Sequence, residues 1–173
     1  MGLTEDWNSY IRVKIGSMRQ DIKLIPDTAM NEVQLISANC RSCATPEASK
    51  WNPGSERAKE DTQFSGTIDY FYTSHAFETE ISGRHYVESM CILSEKASCG
   101  SGFSMFAIES ADPLFYSMAD GYLGLGVGRA YGGTKDQPLN VLDQLVKHGM
   151  IDEKKFGIYT QMKNETADPS KHS

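Results

Sequence analysis

The sequence has 173 residues, of which 39% are hydrophobic, and its formal net charge is -6 at pH 7 with no run of lysine or arginine. This length suits one compact domain or one lobe of a larger protein, and the acidic balance argues against nucleic acid as a partner. No stretch approaches the roughly 18 apolar residues of a membrane span, so no membrane partner is expected. Residues 1–16 carry acidic side chains and lack the apolar core of a signal peptide.

The first half of the chain has the alternation typical of strands. Residues 10–15 place apolar side chains on one face and charged ones on the other, which predicts a half-buried strand. Residues 16–20 predict a short hairpin connection to a return strand over residues 22–25. The pair Pro53-Gly54 predicts a turn.

The strand pattern continues in the second half. Two strands are predicted at residues 66–71 and 80–87, joined by a polar tip. Residues 103–108 predict another strand. Residues 122–126 form a short apolar segment with glycines that predicts one more.

One segment near the end has helical spacing. Leucine and valine recur every three to four residues from 139 to 146, Pro138 suits a first turn, and Gly149 suits the C-terminal cap. Residues 156–160 resume the alternation of a strand. Residues 163–173 are polar and are expected to be disordered.

The four cysteines fall as two close pairs, Cys40 with Cys43 and Cys91 with Cys99. This spacing favours two small disulfide loops and hence an oxidising compartment, although reduced thiols remain an alternative because residues 1–16 do not resemble a signal peptide. Zinc fits less well, since only the first pair has CxxC spacing, and no metal or cofactor is expected. The histidines are scattered and expected to be exposed to solvent: His75, His85, His148 and His172.

Six short motifs follow one another along the chain. They are IGSMRQ at residues 15–20, DTAM at 27–30, NCRSC at 39–43, KWNPGS at 50–55, ADGYLGLG at 119–126 and HGMID at 148–152. In this order, over about residues 8–162, they resemble the N-terminal lobe of a pepsin-like (family A1) aspartic protease.

The resemblance implies a fold and its boundaries. We expect a mostly β chain forming a single lobe of the pepsin-like acid protease fold, a closed double-psi β-barrel with one or two short helices, over residues 1–162. The NCRSC motif resembles the small disulfide loop of that family. Asp120, Gly121 and Gly124 are expected in a strand typical of the family.

The resemblance also implies a peptide-hydrolysing site in which two aspartates, one from each lobe, share a proton and a water molecule. Asp27 is the candidate for one of them, with Thr28 and Ala29 in the active-site loop. Without the resemblance, Asp27 would be interpreted as a turn residue at a strand end. Ala29 replaces the family's glycine, and Met30 replaces a residue whose hydroxyl group donates to the aspartate.

The hairpin that covers the substrate in this family is expected at residues 68–74. Its substrate-binding candidates are Tyr70, Tyr72 and Ser74. Phe71 and Thr73 stand where glycines would let the hairpin bend, and the tip looks longer through residues 76–79. Gln34 stands where a tryptophan partner of the hairpin tyrosine is expected.

A second aspartate motif is missing from the sequence. After Asp27 no aspartate is followed by Thr-Gly or Ser-Gly, and neither Asp61 nor Asp120 fits the pattern. The chain ends about where one lobe would end. We therefore expect it to carry half of the catalytic pair and to be inactive alone, unless a second lobe or a homodimer partner supplies the other half.

Two hypotheses remain for the function. The first is a lobe of an aspartic endopeptidase that acts on peptide or protein substrates. The second is a non-catalytic relative that binds peptides or is vestigial, which the changes at Ala29, Met30 and Gln34 favour. The resemblance implies a secreted, lysosomal or vacuolar location, where Asn164 in the sequon Asn-Glu-Thr would be a glycosylation site.

Overall fold

The computed structural model describes residues 2–3, 9–43, 50–53, 58–61, 68–74, 77–92, 98–112, 119–126 and 140–158. These residues form the strands β1 (Gly2–Leu3), β2 (Ser9–Ile15), β3 (Gln20–Asp27), β4 (Val33–Ile36), β5 (Lys59–Glu60), β6 (Ile68–Ser74), β7 (Phe77–Ile92), β8 (Ser98–Ala111) and β9 (Gly121–Gly124), and the helix α1 (Val141–Lys147). No helix of this described part is long and apolar enough to cross a membrane.

Six of the strands close into a barrel. The sheet runs in the order β1-β2-β3-β9-β4-β8-β7-β5, and β2 also pairs with β7, which joins the ends of the β2-β3-β9-β4-β8-β7 series. The strand β9 lies between β3 and β4, parallel to the first and antiparallel to the second. The predicted fold, a mostly β single lobe with a closed barrel, is confirmed.

Four predicted strands, β2, β3, β7 and β8, are confirmed and are longer than predicted. The strand predicted at residues 122–126 ends at Gly124, and residues 66–67 lie outside the described residues. Residues 80–87 lie within the 16 residues of β7, and residues 103–108 lie within the 14 residues of β8. Residues 77–79, which the sequence placed in the hairpin tip, belong to β7 and pair with β6. The reason is that β-branched and aromatic side chains on both arms favour continued pairing over an open tip.

The prediction of a last strand is wrong for residues 156–158. They pair with no strand of the described part of the chain, and Phe156 and Ile158 are 45% and 51% exposed. An alternating sequence indicates that one face of the segment would be apolar, but a strand also needs a neighbouring strand to pair with. Residues 159–160, the proposed boundary at 162, the tail 163–173 and Asn164 lie outside the described residues.

Buried apolar side chains form two clusters. The large core contains Val13, Ile15, Ile22, Leu24, Val33, Leu35, Trp51, Tyr86, Met90, Phe103, Met105, Ala107, Leu123, Leu125, Val141, Leu142 and Leu145. The small core contains Ile36, Cys40, Cys43, Ile81, Phe106, Ile108, Ala111 and Tyr122, with Ile25 and Met30 packed against it. Each fully buried aliphatic or aromatic side chain stabilises the fold by about 1.5–3 kcal/mol.

The helix α1 is capped at both ends. The side chain of Asn140 accepts a hydrogen bond from the N–H of Asp143 at 2.7 Å, so the helix begins after Asn140. Pro138, the predicted first-turn residue, lies outside the described residues. Gly149 has φ +65°, and its N–H donates to the carbonyl oxygen of Val146 at 2.9 Å. The predicted glycine cap is confirmed, because few other residues adopt this left-handed conformation without strain.

All four cysteines form disulfides. Cys40 pairs with Cys43 in the turn after β4, and Cys91 pairs with Cys99, its direct neighbour across β7 and β8. The predicted pairs are confirmed. None of the four is left as a free thiol in this structure.

Candidate active site

Asp27 is the last residue of β3 and lies opposite Gly124 of β9. Its side chain is half-buried, and Oδ1 accepts hydrogen bonds from the N–H of Ala29 at 2.7 Å and of Met30 at 3.3 Å. An aspartate that accepts from the N–H two residues ahead forms an Asx turn, which explains why the chain leaves the strand here. The same bonds fix the direction of the carboxylate.

The loop after Asp27 is held by the end of β9. The N–H of Leu125 donates to the carbonyl oxygen of Asp27 at 2.7 Å. The next N–H, of Gly126, donates to the carbonyl oxygen of Met30 at 2.6 Å. A Cβ atom on Gly126 would lie only 2.7 Å and 2.8 Å from the carbonyl oxygens of Met30 and Thr28. Glycine is therefore required for the two backbone segments to approach so closely.

The two substitutions in the loop have different consequences. Ala29 is exposed and has no left-handed backbone conformation, so it replaces glycine without that strain, and its N–H still donates to Asp27. Met30 is half-buried and packs against the small core. Its thioether cannot donate a hydrogen bond, so the hydroxyl donor expected from the resemblance has no equivalent at this position.

Asp120 is part of the barrel framework and not of the Asp27 loop. It is 2% exposed, and its Oδ2 accepts from the N–H of Lys23 at 2.7 Å. Its carbonyl oxygen accepts from the N–H of Ile36 at 2.9 Å, so Asp120 joins β3 to the start of β9 and to β4. A Cβ atom on Gly121 would collide with the carbonyl oxygen of Gln34. These residues position the strand that holds the loop.

The candidate substrate-covering hairpin is formed by β6 and β7. Tyr70 pairs with Ile81, Tyr72 with Thr79, and Ser74 with Phe77. The three candidates occupy alternate positions along β6. The hairpin is continuous with the barrel, because β7 pairs with β8 along most of its length and with β2 near its end.

A buried polar pair was missed by the sequence analysis. Nε2 of His85 lies 2.8 Å from Oε2 of Glu32, and the two side chains are 0% and 4% exposed. The prediction that His85 is exposed is wrong. Its position in the alternation of β7, two residues after Gly83 and four after the buried Ile81, was a signal for an inward side chain.

Gln34 is also buried. It is 3% exposed and lies opposite Phe106 of β8 and Tyr122 of β9. Within the described residues its Oε1 has no hydrogen-bond partner. Among the same residues, no group of three or more His, Cys, Asp or Glu side chains is placed to hold a metal ion.

One strongly shifted pKa lies at the edge of the large core. Burial, followed by the hydrogen bond that its hydroxyl group donates to Oε1 of Glu109 at 3.0 Å, raises the pKa of Tyr86 to about 12. The ring packs edge-on against Trp51, with 5.4 Å between the ring centroids. Burial and the neighbouring Glu109 both favour the neutral phenol, because the phenolate would be poorly solvated and would face a carboxylate.

The chain matches a known protein family. The family model described as eukaryotic aspartyl protease matches residues 8–170. The matched range includes the whole barrel, the loop after Asp27 and the β6–β7 hairpin.

Proposed function

The chain belongs to the eukaryotic aspartyl protease family, and from this premise we propose that Asp27 is one carboxylate of a two-aspartate site for hydrolysing peptide bonds. The observation that carries the proposal is the placement of Asp27 at the end of β3, where the N–H of Ala29 donates to Oδ1 at 2.7 Å. In such a site one carboxylate activates a water molecule while the other holds the shared proton. The substrates would be peptides or proteins.

This chain would supply half of that site. No aspartate after Asp27 is followed by Thr-Gly or Ser-Gly in these 173 residues. A second carboxylate would therefore have to come from a second lobe or from a second copy of the chain. We propose that the chain by itself does not hydrolyse peptides, and that Tyr70, Tyr72 and Ser74 of the hairpin would contact a bound peptide.

The loop chemistry favours weak activity even with a partner. Oδ1 of Asp27 keeps two backbone donors, but Met30 offers no hydroxyl group. A hydrogen bond to a charged group is worth about 1.5–3 kcal/mol. A site that lacks one would therefore stabilise the carboxylate less well than the site implied by the resemblance.

A non-catalytic role is the second candidate, and the orientation of Met30 favours it. The side chain at this position packs into the small core instead of serving the carboxylate. A protein with this loop could retain peptide binding beside the hairpin after losing hydrolysis. In that case peptide affinity would not depend on the charge of Asp27.

The deciding experiment is a cleavage assay on the full chain. A denatured protein substrate is incubated between about pH 3 and about pH 6, over a range of chain concentrations, with Asp27→Asn and the exposed, same-strand control Asp21→Asn. We expect no cleavage by the chain alone. Cleavage that rises more steeply than linearly with concentration, and that only Asp27→Asn abolishes, would show that two copies assemble the site and would overturn inactivity.

Peptide binding separates the two candidates when no cleavage is seen. If a peptide binds equally well to the wild-type chain and to Asp27→Asn, the non-catalytic role is supported. If cleavage appears only after a lobe with its own aspartate is added, the half-site proposal is supported. No binding and no cleavage with any partner would contradict both.

The compartment is proposed from the same premise. Two disulfides are stable in oxidising surroundings, which agrees with a secreted, lysosomal or vacuolar protein. Asn164 would then carry an N-linked glycan. A mass decrease on glycosidase treatment of the protein from secreting cells, absent in Asn164→Gln, checks this.

A further inference from the structure

The Glu32–His85 pair joins two parts of the molecule that are far apart in sequence. Glu32 follows the Asp27 loop directly before β4, and His85 lies on β7 of the hairpin. The atoms Nε2 and Oε2 are 2.8 Å apart, and a carboxylate oxygen accepts, so the imidazole donates. We infer that Glu32 and His85 are positioning residues that couple the Asp27 loop to the root of the β6–β7 hairpin.

On the loop side, Glu32 is linked to Asp27 by the last residue of β9 and the residue that follows it. The N–H of Gly124 donates to the carbonyl oxygen of Glu32 at 2.9 Å, and the N–H of Leu125 donates to that of Asp27 at 2.7 Å. A Cβ atom on Gly124 would collide with the backbone of Glu32, so the segments are in close contact. A displacement of Glu32 is therefore transmitted to Asp27.

On the hairpin side, His85 lies where the hairpin leaves the barrel. The pairing of β6 with β7 ends at Gly83, and the register of β7 with β8 shifts at the same place. The carbonyl oxygen of His85 accepts from the N–H of Asp61 at 2.8 Å. Its ring lies against Phe106, with 5.2 Å between centroids. Glu32 and Phe106 contact the ring of His85 while Asp61 holds its backbone, so the position of the ring is linked to the hairpin root.

Stability alone does not explain a buried pair of this kind. Removing two polar side chains from water costs free energy, and well-packed apolar residues often replace buried pairs without loss. Oε1 of Glu32 also has no hydrogen-bond partner among the described residues. What the pair does provide is one fixed distance between the loop with the carboxylate and the hairpin expected to cover a substrate.

The inference rests on the proposed function for its role, but its test needs no substrate. Backbone amide hydrogen exchange is measured on the full chain and on Glu32→Leu/His85→Leu, which removes the pair without leaving one buried partner alone. We expect the amides of residues 29–30 and of β6 to exchange about tenfold faster, since a hydrogen bond of this strength is lost. The amides of α1 should be unchanged.

Two further variants separate coupling from general loosening. In His85→Gln an amide N–H replaces the ring N–H as donor to Glu32, so protection in both segments should be largely kept. Arg84→Gln is the matched control, because Arg84 is the exposed neighbour of His85 on β7 and pairs with Glu60 and Glu109 instead. It should change neither segment.

The inference is overturned if the double variant keeps wild-type protection in either segment. It is also overturned if α1 loses protection to the same degree, since the pair would then act on the whole barrel. Because exchange is independent of cleavage, coupling can fail while the Asp27 proposal stands, and the reverse also holds.

Discussion

The large core and the small core differ in what they place in the interior. The large core is built from apolar side chains of the barrel strands and of α1, together with Trp51 and Leu125. The small core packs against Met30 of the Asp27 loop, and the ring of His85 lies against its member Phe106. Burial of apolar surface stabilises the barrel at the large core. At the small core, apolar side chains lie beside the buried polar pair Glu32 and His85.

This difference indicates where stability and function are separated. In an apolar interior, each buried side chain stabilises the fold without requiring a specific polar partner. A buried polar pair constrains geometry and contributes little net stability. The barrel can therefore bear a costly polar arrangement beside the Asp27 loop because the large core supplies the necessary stability elsewhere.

The largest effect is expected in the large core. Phe103 is fully buried there, and Phe103→Ala should lower the free energy of unfolding by about 3–5 kcal/mol, through lost burial and a cavity. Urea unfolding with disulfides intact measures it. Phe156→Ala is the matched control, because Phe156 is 45% exposed and the same truncation there should cost at most about 0.5 kcal/mol. Equal losses would show that the large core does not dominate stability.

The small core should respond in the opposite direction. Glu32→Leu/His85→Leu replaces a buried polar pair with apolar side chains and should leave the unfolding free energy unchanged or raise it by about 1–4 kcal/mol. Each single replacement should lower it, because one buried polar partner is then left without the other. A double variant less stable than both single variants would mean that the pair is a stabilising element.

Most strands and the helix could be predicted because their evidence is local, whereas the closed barrel was predicted from the resemblance of the motif series to pepsin-like proteases. Residues 10–15 show the alternation of β2, and Gly149 marks the end of α1 within a few positions. Asp27 could be placed for a similar reason, since an aspartate directly after an apolar strand is a local pattern that the motif order made specific. Residues 156–158 show the limit, because alternation does not reveal whether a partner strand exists.

The Glu32–His85 pair could not be found in this way. The two residues are 53 positions apart, and only closure of the barrel brings them within hydrogen-bonding distance. Histidine is neither a typically buried nor a typically exposed residue, and the alternation of β7 indicates its inward direction but not its partner. Long-range polar contacts of this kind depend on topology, which no local pattern contains.

The smallest effect on unfolding stability is expected at the edge of the large core, and it depends on pH. Tyr86 belongs to that core, but its hydroxyl group reaches Glu109, which is near the surface. Here a polar group is accommodated at the boundary and has a direct partner, unlike the interior pair beside the small core. Its contribution should therefore appear only when the phenol begins to lose its proton.

The pH dependence of unfolding tests this boundary. The pKa of Tyr86 is raised from 10.0 to about 12, so the folded chain keeps the proton at pH values where the unfolded chain releases it. Its contribution to stability is complete below about pH 10 and is lost as the pH rises towards about 12. Between about pH 9 and about pH 11, the urea midpoint should fall more for the wild-type chain than for Tyr86→Phe. Glu109→Gln should lie between them, since it removes the negative partner but not the burial, and identical slopes in all three proteins would contradict the assignment.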